Sequence, residues 1–160
     1  MTKDNVSKFR DRLVSAVNGS ESHIDFDSAV DNFPPELRSA KPHGAPHSAW
    51  ELLEHLRIAQ RDILDFSRDP AAYKEKKWPE DYWPKTSAPP SEDAWQRSVE
   101  AFKTDRQDLN QLIQDPQSDL LKPFPHGDGQ TLLREALLVA NHNSYHLGQL
   151  MLLKKMLTSE

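Results

Sequence analysis

The amino-acid sequence predicts an all-α protein, and a four-helix bundle is the simplest arrangement that buries its apolar residues. Four segments of the 160-residue chain carry apolar residues three and four positions apart, as one face of a helix does. No segment of useful length alternates apolar and polar residues as a strand does. Apolar residues make up only 36% of the chain, so a core needs nearly all of them on packed helix faces. We expect residues 1–160 to form a single domain.

The first predicted helix runs from about Lys3 to Asn18. Its apolar positions recur at helical spacing from Val6 to Val17. Gly19 follows, and glycine is the residue that most often terminates a helix. We therefore expect the chain to leave the helix at this glycine.

The second predicted helix begins after Ser48. Ser48 and Glu51 have the spacing of a capping box, in which two side chains satisfy free N–H groups at a helix start. One apolar face continues from Ala49 to Phe66. Pro70 disfavours helical backbone at the residue before it, so the helix should end near there.

Two further helices follow in the second half of the chain. The third is predicted to begin with Ser91 as its N-cap and to end before Pro116, with an apolar face over 95–113. The fourth should begin with Thr131 as its N-cap and continue to about Leu157. Arg106 interrupts the third apolar face, and we expect its long side chain to reach solvent rather than to pair with a carboxylate inside the bundle.

The connection between the second and third helices predicts the topology. It holds about twenty residues, and a helix of about 20 residues spans about 30 Å. Such a connection can cross the full length of the bundle, so these two helices can run parallel. We therefore expect an up-down-down-up order with long connections.

Composition excludes several classes of protein and of site. The formal net charge of −5 leaves no basic field to hold a nucleic acid, and no apolar run reaches the length of a membrane span. The polar N-terminal segment has no signal-peptide core, so we expect a cytoplasmic protein. The chain has no cysteine, which excludes disulfides, thiolate nucleophiles and cysteine metal sites. Histidines and carboxylates remain as metal ligands.

Two histidines interrupt the apolar face of the fourth helix. His142 and His146 are four residues apart, so their rings lie one above the other and can reach one ion. Such a pair can also be two core histidines with hydrogen-bonding partners. His55 lies beside the apolar face of the second helix and falls near the level of His146 if these helices are antiparallel neighbours. Three histidines from two helices are typical of an open metal site, which is the interpretation we favour.

Two sequence stretches resemble the DinB/YfiT-like family of small metal-binding four-helix proteins. They are HSAWELLEHL, which ends just after His55, and NHNSYHLGQL, which contains His142 and His146. The family carries one histidine in its second helix and an H-x-x-x-H pair near the end of the chain. The resemblance implies an up-down-down-up bundle, a divalent ion such as nickel or zinc, and a homodimer.

The same resemblance implies chemistry on small molecules. Relatives include S-transferases and isomerases that use low-molecular-weight thiols, and hydrolases have been suggested. Because the chain has no cysteine, thiol chemistry would need an external thiol. The sequence thus predicts a metal-dependent transferase or hydrolase, with unknown catalytic residues, a small-molecule substrate, and no nucleic-acid or membrane partner. The alternative is a non-catalytic bundle in which the histidines serve metal binding, stability or partner binding.

Several other side chains are candidates for lesser roles. The aromatic connection with Trp78, Tyr82 and Trp83 should cover one end of the bundle, or else form a wall of the metal pocket. Glu51 and Gln149 are each placed to accept a hydrogen bond from an imidazole, although both are more often simply polar residues at the edge of a helix face. Tyr145 lies one position from the histidine face and can orient a ligand or simply pack. Four other histidines are expected in solvent, namely His23, His43, His47 and His126, with His47 a weak exception because it precedes the helix that carries His55.

Overall fold

The computed structural model describes residues 3–19, 21–71 and 73–158. Its four long helices are α1 (Lys3–Asn18), α3 (Ala49–Arg68), α4 (Ala94–Gln114) and α5 (Leu132–Thr158). A short helix, α2 (Phe26–Val30), and two 3-10 turns (Pro35–Leu37 and Glu80–Tyr82) lie in the connections. The described residues contain no strand, which confirms the all-α prediction.

Contacts between the long helices show their relative directions. α3 and α4 run parallel, because Glu54 bonds to Ser98 near their starts and Arg68 bonds to Asp108 further along both. The chain crosses the bundle between α3 and α4, as the length of this connection predicted.

The two remaining helix pairs complete the topology. α3 and α5 run antiparallel. His55 meets His146, and Gln60, which follows His55 on α3, accepts a bond from Asn143, which precedes His146 on α5. α1 and α4 are also antiparallel: Arg10 reaches the carbonyl of Ile113, and Asn18 at the other end of α1 accepts a bond from Asn110. The order is therefore up-down-down-up, which confirms the predicted bundle.

Helix ends follow local chemistry. Ser48 and Glu51 form the predicted capping box at the start of α3, and the Thr131 hydroxyl accepts from the Arg134 N–H at the start of α5. Gly19 has a φ of 71° after α1, a left-handed conformation that glycine adopts without steric cost.

The prediction for the start of α4 is wrong. Asp93, not Ser91, precedes the helix as its N-cap. The Ser91 hydroxyl donates to the Asp93 carboxylate, and the Ser91 carbonyl accepts from the Ala94 N–H. These bonds form a tight turn before the helix, so the serine oxygen does not cap it.

The prediction that Arg106 extends into solvent is also wrong. Its guanidinium bonds to Asp27 at 2.8 Å, and the arginine side chain is 16% exposed. Asp27 belongs to α2, an element the sequence analysis did not predict. Phe26 of α2 stacks on Phe102 with ring centres 3.8 Å apart, so α2 covers α4 and brings the carboxylate to Arg106.

The buried apolar residues form two clusters along the bundle axis. One surrounds Leu53 and Leu150, and the other surrounds Leu64 and Val139. Gln60 on α3 and Asn143 on α5 lie between the residues of the two clusters, and they bond to each other at 3.0 Å. Gln60 also donates to the Phe102 carbonyl. This polar layer lies close to the level of the histidines.

Candidate metal centre

Three histidines meet inside the bundle, as the spacing predicted. The Nε2 atom of His55 is 3.0 Å from Nε2 of His142 and 3.1 Å from Nε2 of His146. One ligand atom from each of the three rings lies within 4.8 Å of the others. His55 and His146 are buried and His142 is half-buried, so the cluster is shielded yet accessible from one side.

Backbone geometry accounts for this convergence. His142 and His146 project from the same face of α5 because four residues make about one helical turn. The antiparallel packing of α3 on α5 brings His55 opposite them. The helices are held in register at this level by the bond between Gln60 and Asn143.

The second ring nitrogen of each histidine faces an oxygen atom. Nδ1 of His55 is 2.8 Å from the Tyr82 carbonyl oxygen, and Nδ1 of His146 is 2.7 Å from Oε1 of Gln149. Nδ1 of His142 makes a longer contact of 3.5 Å with Oδ1 of Asn143. A carbonyl oxygen can only accept, so these contacts assign the proton of His55 and His146 to Nδ1.

This assignment leaves lone pairs where the rings meet. With Nδ1 protonated, the neutral rings of His55 and His146 each carry an unprotonated Nε2, and these two acceptors are 3.1 Å apart. Two acceptors at that distance repel each other unless a positive charge lies between or beside them. Neutral imidazole nitrogens oriented by a bond at the other nitrogen are common metal ligands. The cluster therefore fits a divalent metal ion.

Burial keeps the three rings neutral. It lowers the pKa of His142 and of His146 to about 4, and the neighbouring imidazoles add to the shift. Burial also lowers the pKa of His55, against the opposing effect of the Tyr82 carbonyl. The rings are therefore uncharged at neutral pH, and in His55 and His146, with the proton on Nδ1, the Nε2 lone pair is free for a metal ion.

The aromatic connection forms a wall of this site. The Trp83 indole stacks on the His55 ring with centres 4.0 Å apart and planes 2° apart, and it also stacks on His47. The Tyr82 carbonyl fixes His55 from the same segment. These contacts support the pocket-wall interpretation. Trp83 also packs against one of the two core clusters, so the same connection covers part of the bundle.

A cavity of about 320 Å³ opens beside His55 and His142. Its apolar wall includes aromatic rings from α3 and the aromatic connection, namely Phe66, Tyr73, Trp78 and Tyr82. Two acidic residues, Asp62 and Glu135, also line it. The sequence analysis missed both, although Asp62 lies two helical turns after His55 and so shares its face.

The predictions for individual polar residues have mixed outcomes. Gln149 accepts from an imidazole, the less frequent of its two predicted roles, whereas Glu51 bonds to Lys41 and the Ser48 backbone. Tyr145 is exposed, with its ring edge-on to His146.

The four other histidines lie outside the cluster. His23 and His43 are exposed, as predicted. The prediction of a solvated ring is wrong for His126, and His47, the noted exception, is not fully solvated either. His47 is half-buried on Trp83, and His126 is half-buried with Nε2 on the Phe66 carbonyl, because the connections fold back onto α3.

Comparison with protein families gives a match. The profile of the DinB superfamily matches residues 21–150, which is most of the chain and includes all three histidines. The chain belongs to the DinB superfamily. Comparisons with curated proteins and with solved structures give no match. The DinB assignment agrees with the resemblance carried by the histidine motifs.

The described helices of this DinB protein differ from membrane-spanning helices. None of them combines the length and the apolar character that a transmembrane span requires.

Proposed function

We propose that this protein is a metal-dependent enzyme in which His55, His142 and His146 hold one divalent ion, nickel or zinc. The observation that carries the proposal is the convergence of three Nε2 atoms, with two of the opposite nitrogens held by oxygen acceptors. Three nitrogen ligands leave coordination positions free for a substrate, as catalytic metal sites do.

Neighbouring residues orient the imidazole rings and shield the site from water. Tyr82 and Gln149 hold two imidazoles in the tautomer that presents Nε2 to the ion. Trp83 covers one face of His55 and limits access of water. A bound divalent ion would supply Lewis-acid chemistry, which favours the ionised form of a coordinated water or thiol.

The groups around the three imidazole rings favour transfer of a thiol over hydrolysis. The groups in contact with them are the Tyr82 carbonyl, the amides of Asn143 and Gln149, and aromatic rings. None of these described groups is a strong base, and the carboxyl groups of Asp62 and Glu135 lie about two helical turns from His55 and His142. A low-molecular-weight thiol activated by the ion needs no protein base, whereas hydrolysis would gain from one. The small-molecule substrate would lie in the cavity beside His142.

We also propose that the protein acts as a homodimer. The outer face of α5 carries Leu138, Tyr145 and Leu152 seven residues apart, and all three are exposed. Seven residues are close to two helical turns, so these side chains form one apolar stripe. A second copy of the chain would cover that stripe.

Thiol-transfer assays test the proposed activity. We expect the zinc- or nickel-loaded protein to transfer a low-molecular-weight thiol to an electrophilic acceptor, and chelation or His142→Ala to reduce the rate at least about 100-fold. His23→Ala serves as a control, since His23 is an exposed histidine away from the cluster. Full activity after chelation would contradict the proposal. Metal binding without activity on any thiol or ester would favour the non-catalytic alternative.

A further inference from the structure

The cavity beside the histidines contains two buried carboxyl groups. Asp62 on α3 is 7% exposed and Glu135 on α5 is 2% exposed, and both line the cavity wall. Burying a carboxylate is unfavourable unless positive charge or hydrogen-bond donors compensate it. The contacts of each carboxyl group therefore show whether hydrogen bonds and positive charges fully offset its burial.

Asp62 lacks a donor at one oxygen. Its Oδ2 accepts a bond from the Tyr82 hydroxyl at 2.6 Å, but its buried Oδ1 has no hydrogen-bond partner among the described residues. The Lys76 ammonium stands 4.0 Å from Oδ1, which is beyond hydrogen-bond distance. Asp62, a residue of the cavity wall, thus carries a buried acceptor with no donor among the described residues.

Among the described residues, Glu135 is compensated by Arg134, which also lines the cavity. Its Oε1 accepts from the guanidinium of Arg134 at 2.7 Å, and that arginine side chain is mostly exposed. Burial raises the pKa of Glu135; the bond and charge of Arg134 oppose this shift, and the negative charge of Asp62 adds to it. Burial likewise raises the pKa of Asp62. A positive charge inside the cavity would relieve both groups at once.

Aromatic rings complete the same surface. Phe66, Tyr73, Trp78 and Tyr82 line the cavity along with the two carboxyl groups. The faces of aromatic rings attract cations, and the attraction strengthens where water is excluded. The combination of rings and buried carboxylates suits an ammonium group better than a neutral or anionic one.

We propose that the cavity binds its substrate through a protonated amino group held between Asp62 and Glu135. The inference rests on the proposed function, in which the reacting end of the substrate lies at the three histidines. Asp62 is seven residues after His55 on α3, which is about 10 Å along the helix axis. The substrate is therefore a small molecule whose amino group lies about 10 Å from its reacting group. A cavity of about 320 Å³ is large enough for such a molecule.

Six-carbon ligands of matched length test the proposal. Hexylammonium, hexanol and hexanoate are titrated into the chelator-treated protein by ligand-observed NMR, and the corresponding six-carbon thiols into the zinc-loaded protein by calorimetry. We expect the ammonium member of each series to bind about tenfold more tightly than the others. Asp62→Asn should remove most of this preference, and Glu135→Gln part of it. Asparagine keeps an oxygen that accepts from Tyr82, so the fold should survive.

Asp105→Asn is the matched control. Asp105 is another buried carboxyl group whose pKa is raised by burial, but it bonds to Arg61 and does not line the cavity. This variant should keep the ammonium preference. Equal affinity for the three end groups would overturn the proposal, and so would an unchanged preference in Asp62→Asn. Tighter binding of the carboxylate ligands would overturn it too and assign recognition to Arg134 and Lys76.

The two ligand series separate this proposal from the proposed function. The simple amines carry no thiol and need no metal, so their preference tests the amino-group site alone. A protein that binds no zinc but prefers hexylammonium would refute the metal centre and retain the amino-group site. A protein that binds zinc and thiols without that preference would refute only the amino-group site.

Discussion

His146 shows how one residue's role depends on a neighbour one turn away. Its Nε2 points into the histidine cluster, while its Nδ1 lies 2.7 Å from the Gln149 side-chain oxygen. The amide oxygen holds the proton on Nδ1 and keeps the lone pair on Nε2. Sequence spacing made this contact possible, because residues three apart on a helix are neighbours, but it did not favour the contact over a plain polar role.

Gln149→Ala should weaken metal binding without removing it. Loss of the acceptor frees the ring to rotate and to change tautomer, and we expect zinc affinity to fall about 10–100-fold. Competition with a chromophoric chelator measures the affinity. Gln96→Ala removes a glutamine from an exposed position on α4 and should leave affinity unchanged. Equal zinc affinities for the Gln149→Ala variant and the wild type would contradict the role assigned to this amide.

Other residues of the site could not be predicted from the sequence. The Tyr82 carbonyl reaches His55 only because a connection of about twenty residues folds back against α3. Backbone groups have no sequence signature, and long connections have no periodicity from which to infer a path. Asp62 was overlooked for a different reason: an acidic residue on a helix is usually solvated, and only tertiary packing buries it.

At the scale of elements, two serines that resemble N-caps behave differently. Ser48 accepts from the Glu51 N–H and is fully buried, and its hydroxyl also donates to the Ser87 carbonyl. Ser91 instead bonds to Asp93 in a turn before α4. The capping box was predictable because it needs two residues at a fixed spacing, whereas a lone serine among polar residues fits several turn geometries.

These two serines should contribute unequally to stability. We expect Ser48→Ala to lower the free energy of unfolding by about 1–2 kcal/mol, because it removes a cap and a second buried bond. Ser91→Ala should change it by less than about 0.5 kcal/mol, since the position is exposed and its serine caps no helix. Denaturant unfolding of both variants provides the comparison. A larger loss at Ser91 would contradict the assigned helix start.

At the scale of the whole molecule, the topology could be predicted because few solutions satisfy both helix length and connection length. Four apolar faces require a bundle, and the long connection before α4 allows α3 and α4 to run parallel. The short helix α2 escaped prediction because it has five residues, too few for a periodic pattern. Its carboxylate then determined where Arg106 lies.

The exposed stripe on α5 predicts the oligomeric state. Tyr145 and Leu152 are 64% and 61% exposed, and a second copy would bury them. We expect the wild-type protein to be a dimer and Leu152→Glu to be a monomer by light scattering after size exclusion. Leu121→Glu changes an equally exposed leucine in a connection and should leave the dimer intact. A monomeric wild-type protein at micromolar concentration would contradict the proposed dimer.

The metal content of purified protein and its histidine variants tests the central claim most directly. Elemental analysis should find about one divalent ion per chain in the wild type and in His23→Ala. Alanine at His55, His142 or His146 should each reduce it close to zero, because two remaining imidazoles hold a divalent ion far less tightly. Circular dichroism confirms that each variant is folded. Undiminished metal in folded His55→Ala protein would contradict a three-histidine site formed between α3 and α5.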